Sequence, residues 1–272
     1  MSQRIAQTFE RIKAERRVGL VTYSMAYDPT PELSNQIIHT LAEGGADILE
    51  LGMAFSDPMA DGPTIQEAGH RALKAGARIK KTLEIAYNFR QKNNHTPIIL
   101  MGYFNPIFKY GVREFCNDAA LAGIDGLIIV DLPPEEEGEI AYLAQQKDIS
   151  LIKLIAPTTP EHRLAKILEN ASGFVYYISM AGVTGTKTVN PNTIAPYVSN
   201  IRKYTKLPVA VGFGIKTPQH AREVAKYADA VVIGSAIVEK IGDYADNYSS
   251  KSSPAQLNQE IYDFIKSVKA VI

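Results

Sequence analysis

The sequence predicts a closed (β/α)8 barrel (a TIM barrel) with an extra N-terminal helix, and three observations lead to that prediction. Short apolar runs rich in β-branched or aromatic residues recur along the chain, as expected of strands that are buried on both faces. Segments with helical periodicity lie between these runs, which favours parallel strands joined by right-handed crossovers. Eight such units in 272 residues favour a barrel over the alternative, a doubly wound open sheet.

The predicted elements follow one another along the chain. Strands are expected in the apolar runs at 18–26, 46–54, 96–103, 124–133, 150–157, 173–182, 208–215 and 228–238. Helices are expected at 32–44, 134–146, 160–168, 191–204 and 218–227, and most of them begin at or near a proline, a residue favoured at the first helical position. A first helix at 5–16 is expected to cover the barrel floor, and 243–253 is predicted as a loop before a last helix at 254–271.

Composition excludes several classes of protein. Lys plus Arg and Asp plus Glu both number 29, so the chain has no basic surplus, and neither a nucleic acid nor a membrane surface is expected as a partner. Cys116 is the only cysteine and is expected to be a small buried residue, which leaves no internal disulfide and no cysteine-based zinc site. The five histidines show no metal-ligand spacing, so no metal is expected.

The chain also lacks the signals of secretion and of membrane insertion. Its N-terminus has no long apolar core of a signal peptide, and no stretch approaches the ~20 apolar residues of a transmembrane helix. No linker rich in Pro, Gly or Ser divides it. We therefore expect a soluble cytoplasmic protein in which residues 1–272 form a single barrel domain.

Glu50 is the first candidate for chemistry, because it lies inside an apolar strand. Alternation along that strand places Ile48, Glu50 and Gly52 on one face. A carboxyl group inside a barrel is costly unless it is paired or neutral, and burial raises its pKa. Such a glutamate can exchange protons near neutral pH. The alternative is a glutamate that faces the outer helices and is ion-paired there.

Two aspartates, Asp57 and Asp61, lie in the loop after the same strand, between residues typical of turns. By spacing alone, turn formation is the better interpretation of either residue. One of them can nevertheless return over the barrel mouth toward Glu50. Tyr103 at a strand end is expected to pack in the core, and Asp131, before two prolines, is expected to cap a helix.

A third signal is the distribution of glycines over the last three strands. The segments are 182–185, 212–214 and 234–235, each at the end of a predicted strand. Barrels often bind phosphate with the loops after strands seven and eight and with a short helix N-terminus. Tight turns without a ligand are the alternative. The residues alone therefore predict a barrel enzyme that acts on a phosphate-bearing metabolite with carboxyl acid–base chemistry.

The segment 49–66, LELGMAFSDPMADGPTIQ, resembles the signature of the tryptophan synthase alpha chain family. The segments SMAGVTG at 179–185, GFGI at 212–215 and GSAIV at 234–238 are similar to further motifs of that family, and order and spacing agree from about residue 4 to residue 271. The resemblance implies a (β/α)8 barrel that cleaves indole-3-glycerol phosphate to indole and glyceraldehyde 3-phosphate.

The resemblance also implies roles for individual residues. It makes Glu50 the acid–base catalyst, Asp61 the acceptor of the indole N–H, and Tyr176 the aromatic partner that helps to place Asp61. The residues implied for the indole pocket are Tyr23, Met101, Ile128, Leu154 and Phe213, and those implied for the phosphate are Gly185, Gly214, Gly234 and Ser235. Thr184 is implied as a further substrate-binding residue.

The family implies a partner as well. Its alpha chain binds a beta chain that carries pyridoxal phosphate, in an α2β2 heterotetramer, and indole passes between them through a tunnel. No cofactor is expected on this chain, and 53–58 and the segment after the fourth strand match the docking region. Several positions depart from the family pattern: the family usually has a proline near Thr22, Ala54 replaces a common proline, and an arginine is sometimes found at Met180. Tyr27 replaces a glycine, which excludes a left-handed backbone there or makes it costly.

Three other functions remain open at this point. The chain can be a lyase that releases free indole without a partner, or a non-catalytic activator of a beta chain. It can also be another phosphate-binding barrel, such as a sugar-phosphate epimerase, although those enzymes usually need metal ligands or a lysine at the barrel mouth.

Overall fold

The computed structural model describes residues 2–178, 191–212, 214–247 and 253–272. Its strands are β1 Gly19–Met25, β2 Ile48–Gly52, β3 Ile98–Gly102, β4 Gly126–Ile129, β5 Ser150–Leu151, β6 Lys153–Ile155, β7 Val175–Ile178, β8 Val209–Gly212 and β9 Ala230–Ile233. Its helices are α1 Gln3–Ala14, α2 Pro31–Gly44, α3 Pro63–Lys74, α4 Ile79–Arg90, α5 Phe104–Tyr110, α6 Val112–Leu121, α7 Gly138–Gln145, α8 Glu161–Leu168, α9 Pro191–Ile201, α10 Pro218–Ala225, α11 Ser235–Asn247 and α12 Pro254–Lys269.

All the strand pairs are parallel, in the order β5-β4-β3-β2-β1-β9-β8-β7-β6. The two end strands, β5 and β6, are halves of one barrel strand: the first pairs with β4 and the second with β7. Between them, the N–H of Ile152 donates to the carbonyl of Leu127 at 2.9 Å. The segment 150–155 therefore closes the barrel as its fifth strand, which confirms the predicted fold class.

The barrel interior is filled by residues that alternate along the strands. In register, Glu50 of β2 lies opposite Tyr23 of β1 and Ile99 of β3. The lower interior is apolar, with Ile48 and Ile99 fully buried. Because successive inward positions rise toward the carboxyl ends of the strands, Glu50 lies one level above Ile48, nearer the mouth.

Helix α1 covers the barrel floor, as its position before the first strand predicted. Ile5 is fully buried in the interior cluster, and the ring of Phe9 lies 5.8 Å from that of Phe174. Beside it, Asp125 receives hydrogen bonds from Ser2 Oγ and Arg90 Nη2 at 2.7 and 2.5 Å. The floor is therefore held by packing together with buried ion pairs.

Most helix boundaries lie within about three residues of the prediction, and two differ by more. The proline at 134 was expected to start a helix, but 134–136 forms a turn and α7 begins only at Gly138. Glu137 is buried there, where it accepts hydrogen bonds from Lys153 Nζ and from Asn170 Nδ2, so its side chain is drawn inward by a charge that sequence spacing does not reveal. The predicted loop at 243–253 is also wrong in part, because α11 continues to Asn247.

Two turns at the mouth are supported by side chains from elsewhere. Tyr27 does adopt a left-handed backbone, with φ 71°, and its N–H donates to Ser34 Oγ at 3.0 Å. Asp131 accepts the N–H of Phe104 at 2.8 Å, so it caps the neighbouring helix α5. In the part of the chain that the structure describes, no helix is long and apolar enough to span a membrane.

Candidate active site

A cavity opens at the carboxyl ends of the strands, the end of a barrel at which active sites are found. We call it the mouth cavity. It is lined by Tyr23, Glu50, Ala60, Asp61, Gly62, Ile65, Met101, Val130, Leu154, Tyr176, Ile178, Gly214, Ile215, Val232, Gly234 and Ser235. Most of these side chains are apolar, and the polar ones lie in two groups: two carboxyl groups with nearby tyrosines, and a glycine–serine edge.

Glu50 lies in the wall of this cavity, with only 2% of its surface exposed. Its Oε1 is buried and has no hydrogen-bond partner among the described residues. Burial without a compensating cation raises the pKa of Glu50 from 4.5 to about 8. The carboxyl group is therefore mostly protonated at neutral pH, and it can both give and take a proton.

Two tyrosines flank Glu50, and each lies over a glycine. The hydroxyl of Tyr23 lies where a Cβ on Gly52 would be, and the hydroxyl of Tyr176 lies 2.6 Å from the position of a Cβ on Gly212. Only glycine leaves room for these rings inside the barrel. Burial and the charge of Glu50 raise the pKa of Tyr176 well above its ordinary value, so that its hydroxyl stays neutral.

Asp61 enters the same cavity from the loop after β2. Burial raises its pKa to about 6, although a hydrogen bond with Tyr103 opposes this rise. The hydroxyl of Tyr103 also accepts the N–H of Ala60 at 2.9 Å, and Gln66 Nε2 donates to the carbonyl of Asp61 at 2.8 Å. Hydrogen bonds thus hold the loop backbone at Ala60 and at Asp61. Because its pKa is about 6, Asp61 is mostly ionised at neutral pH.

Another edge of the cavity consists of Gly214, Gly234 and Ser235. Gly214 has φ 80°, a left-handed conformation that favours glycine, and Ser235 is the first residue of α11. The first N–H groups of a helix have no partner within it, and the helix dipole is positive at this end. This edge can therefore bind an anion such as phosphate through backbone groups.

The structure brings most of the predicted site residues together. Met101, Leu154, Tyr23 and Tyr176 line the mouth cavity with the two carboxyl groups. Ile128 does not line it but is fully buried in the barrel interior, and Val130, two residues further on the same face, lines it instead. The other predicted binding residues, Thr184, Gly185 and Phe213, lie outside the described residues.

Tyr103 is buried, with 2% of its surface exposed, as expected of a core tyrosine, but its hydrogen bond with Asp61 was not predicted. Tyr176 was instead expected to help to place Asp61. In the structure Tyr103 makes the hydrogen bond to Asp61, whereas Tyr176 lies near Glu50. The position of Tyr103, directly after β3 at the carboxyl edge, was the only available signal.

The geometry therefore combines a protonated carboxyl, an ionised carboxyl and an anion-binding edge around one largely apolar cavity. No cluster of three or more potential metal ligands occurs among the residues described. Such an arrangement can perform acid–base chemistry on a substrate that has an anionic end and an apolar part.

Comparison with known proteins gives one family. The profile described as tryptophan synthase alpha chain matches residues 9–268. Tryptophan synthase subunit alpha from Legionella pneumophila str. Paris is 39% identical, with a TM-score of 0.90 over 100% of this chain and 98% of that chain. A tryptophan synthase chain of Mycobacterium tuberculosis is 31% identical, with a TM-score of 0.87 over 100% and 99%. A chain of the tryptophan synthase a2b2 complex from Pyrococcus furiosus is 35% identical, with a TM-score of 0.84 over 94% and 99%.

Proposed function

Because the chain belongs to the tryptophan synthase alpha chain family, we propose that its mouth cavity is the active site for the reaction of that family. The reaction is the retro-aldol cleavage of indole-3-glycerol phosphate to indole and glyceraldehyde 3-phosphate. The chain is accordingly a lyase of tryptophan biosynthesis. The observation that carries the assignment is that Glu50 and Asp61 line one cavity together with Ser235, the first residue of α11.

In this proposal the two ends of the substrate bind at the two polar groups of the cavity. The phosphate lies at the edge formed by Gly214, Gly234 and Ser235, and the indole ring lies between apolar side chains that include Met101 and Leu154. Gly185 for the phosphate, Phe213 for the indole ring and Thr184 for the substrate are added from the family resemblance alone. Holding both ends places the bond between the ring and the glycerol chain beside Glu50.

Glu50 performs both proton transfers. Its carboxyl group, protonated because the pKa is about 8, donates a proton to C3 of the indole ring. The resulting carboxylate then takes the proton from the hydroxyl on the adjacent carbon of the side chain. That carbon becomes the aldehyde of glyceraldehyde 3-phosphate, and the electrons of the broken carbon–carbon bond return to the ring, so Glu50 ends protonated again.

Asp61 stabilises the charge that forms during this step. Protonation of C3 places positive charge on the ring nitrogen, and the Asp61 carboxylate accepts the N–H that bears it. With a pKa of about 6, Asp61 is ionised at neutral pH while Glu50 is not. Two carboxyl groups in one cavity thus have opposite roles because their surroundings separate their pKa values.

We also propose a partner. The Pyrococcus furiosus relative is described as part of a mutually activating a2b2 complex, and we infer the same α2β2 assembly for this chain. The loop at 53–58, in which Ser56 and Asp57 are exposed, is the proposed contact. Pyridoxal phosphate belongs to the beta chain in this family. A cytoplasmic location is part of the proposal, because a lone cysteine is compatible with a reducing compartment.

The test is a turnover assay of the purified chain with indole-3-glycerol phosphate, alone and with a tryptophan synthase beta chain. We expect release of indole and glyceraldehyde 3-phosphate in equal amounts, and faster cleavage when the beta chain is present. Full activity without any response to the beta chain indicates a self-sufficient lyase. No cleavage in either mixture overturns the proposed function and favours a non-catalytic partner.

A further inference from the structure

Arg71 of α3 contacts a buried acid at the end of β1. Its Nε and Nη2 donate to the two carboxylate oxygens of Asp28 at 2.7 and 2.8 Å, and Asp28 is fully buried. A bidentate pair of this kind constrains direction as well as distance. Helix α3 and the turn after β1, the strand that carries Tyr23, are therefore held together at one point.

The same guanidinium lies against α11. A Cβ on Gly242 would lie 3.3 Å from Nη1 of Arg71 and 3.5 Å from Nη2, so the helix backbone approaches the guanidinium closely. Burial disfavours the charge of Arg71, but the pair with Asp28 and the charges of Asp246 and Glu67 outweigh burial and raise its pKa. Arg71 is thus a permanent cation between α3 and α11.

These two helices follow β2 and β9, the two strands that pair with β1, and both begin at the mouth cavity. Helix α3 starts at Pro63, two residues after Asp61, and α11 starts at Ser235. With a rise of 1.5 Å per residue, Arg71 and Gly242 lie about 12 Å and about 10 Å along their helices from these starts. The Arg71 contact therefore contributes to the relative position of two helices that carry two parts of the site.

We propose that Arg71 is a positioning residue that sets the distance between Asp61 and the anion-binding edge. This inference rests on the proposed function, in which one substrate binds at both places. A linked ligand gains from its second contact only if the separation of the two subsites matches its length. Loss of the Arg71 contact should therefore weaken binding of the intact substrate. Indole alone and inorganic phosphate alone should bind as they do in the wild type.

The experiment compares the wild type with Arg71→Gln. We expect kcat/KM for indole-3-glycerol phosphate to fall roughly tenfold to a hundredfold, with KM raised, because displacements remote from the reacting atoms have effects of this size. The Kd values of indole alone and of inorganic phosphate alone, measured by calorimetry, should not change. Arg71→Lys should recover part of the loss, because lysine keeps the charge but not the bidentate geometry.

Two further variants complete the test. Gly242→Ala keeps the pair with Asp28 and inserts a methyl group between the guanidinium and α11, so it should shift KM in the same direction by a smaller factor. It also provides the test if Arg71→Gln does not fold. Arg202→Gln removes an arginine whose pair with Asp229 is exposed, and it should leave all kinetic constants unchanged.

The outcomes separate this inference from the proposed function. If the wild type does not cleave the substrate, the proposed function fails. If the wild type is active and Arg71→Gln or Gly242→Ala leaves KM unchanged, Arg71 is only structural and the inference is overturned. The same conclusion follows if the Kd values of both fragments rise as much as the KM of the intact substrate.

Discussion

The floor and the mouth of the barrel both contain buried carboxyl groups, but the two regions surround them differently. At the floor, Asp47 is 5% exposed, and it accepts hydrogen bonds from both Nη atoms of Arg17 and from the N–H of Leu20, each at 2.8 Å. Burial raises its pKa, but Arg17 and Lys269 outweigh burial and lower the pKa overall. At the mouth, no cation among the described residues offsets the burial of Glu50, and its pKa rises to about 8.

Burial alone therefore does not decide what a carboxyl group does in this barrel. A buried acid with cations and N–H groups around it is a fixed charge that holds elements together. A buried acid facing an apolar cavity keeps an exchangeable proton when no neighbouring cation stabilises its charge. Asp61 is intermediate, since it has a hydrogen bond with Tyr103 but no cation partner in the described part of the chain.

The largest effect is expected from Glu50→Gln. Glutamine occupies the same volume but cannot exchange a proton, so indole release should fall by about 10²–10⁴-fold or more. The variant should also be more stable than the wild type in alkaline solution. Folded Glu50 keeps its proton up to about pH 8 whereas the unfolded side chain releases it near pH 4.5, so the wild type loses stability as pH rises between these values.

Two measurements check this prediction. A turnover assay should find almost no indole, and circular dichroism should find an intact fold. Urea titrations at several pH values should show that the difference in free energy of unfolding between Glu50→Gln and the wild type grows with pH between about 4.5 and about 8, by up to about 1.4 kcal/mol per pH unit. Ordinary turnover by Glu50→Gln would remove Glu50 from the mechanism.

The opposite behaviour is expected at the floor, for Asp125→Asn. This change removes the charge that pairs with Arg90, which is 7% exposed, and leaves a buried cation without its anion. We expect a loss of about 3–5 kcal/mol in the free energy of unfolding, measured by urea titration. Glu135→Gln, which breaks an exposed pair with Arg163, is the matched control and should leave the free energy of unfolding almost unchanged.

Asp61→Asn tests the intermediate case. The amide keeps the shape of the side chain but cannot balance positive charge on the indole nitrogen, so the rate should fall by about 10²–10³-fold, as for loss of one preorganised electrostatic contact. Stability should change little, because Asp61 has no cation to leave unpaired. A wild-type rate in this variant would contradict the role proposed for Asp61.

The pH dependence of kcat/KM should be bell-shaped. Activity requires Asp61 ionised and Glu50 protonated, so it should rise as pH passes about 6 and fall as pH passes about 8. A profile measured from pH 5 to 9.5 should therefore have its maximum near neutrality. A rate that continued to increase above pH 9 would show that Glu50 does not act in its protonated form.

The smallest effect is expected from Tyr103→Phe. Loss of the hydroxyl removes its hydrogen bonds to Asp61 and to the N–H of Ala60, worth about 1 kcal/mol each. We expect the rate to fall about fivefold to tenfold. The acidic limb of the pH profile should move to higher pH, because the hydrogen bond with Tyr103 lowers the pKa of Asp61 in the wild type. An acidic limb at the same pH as in the wild type would mean that Tyr103 does not influence the pKa of the group that titrates there.

Much of the fold and part of the site could be predicted because they depend on local pattern. Alternation along β2 predicted that Glu50 points inward, and prolines predicted the starts of α2, α10 and α12 to within one residue. The start of α7 could not be predicted, since it depends on Lys153, which draws Glu137 inward from another strand.

The sequence by itself determined the barrel, the inward carboxyl group at Glu50 and the glycine-rich edge, because strand period, helix period and backbone freedom are properties of neighbouring residues. Only the tertiary structure decided that Tyr103 bonds to Asp61, that Val130 and not Ile128 lines the cavity, and that Arg71 connects α3 to α11. These contacts join residues far apart in the chain, and they arise when the closed sheet brings its strand ends and helices to one place.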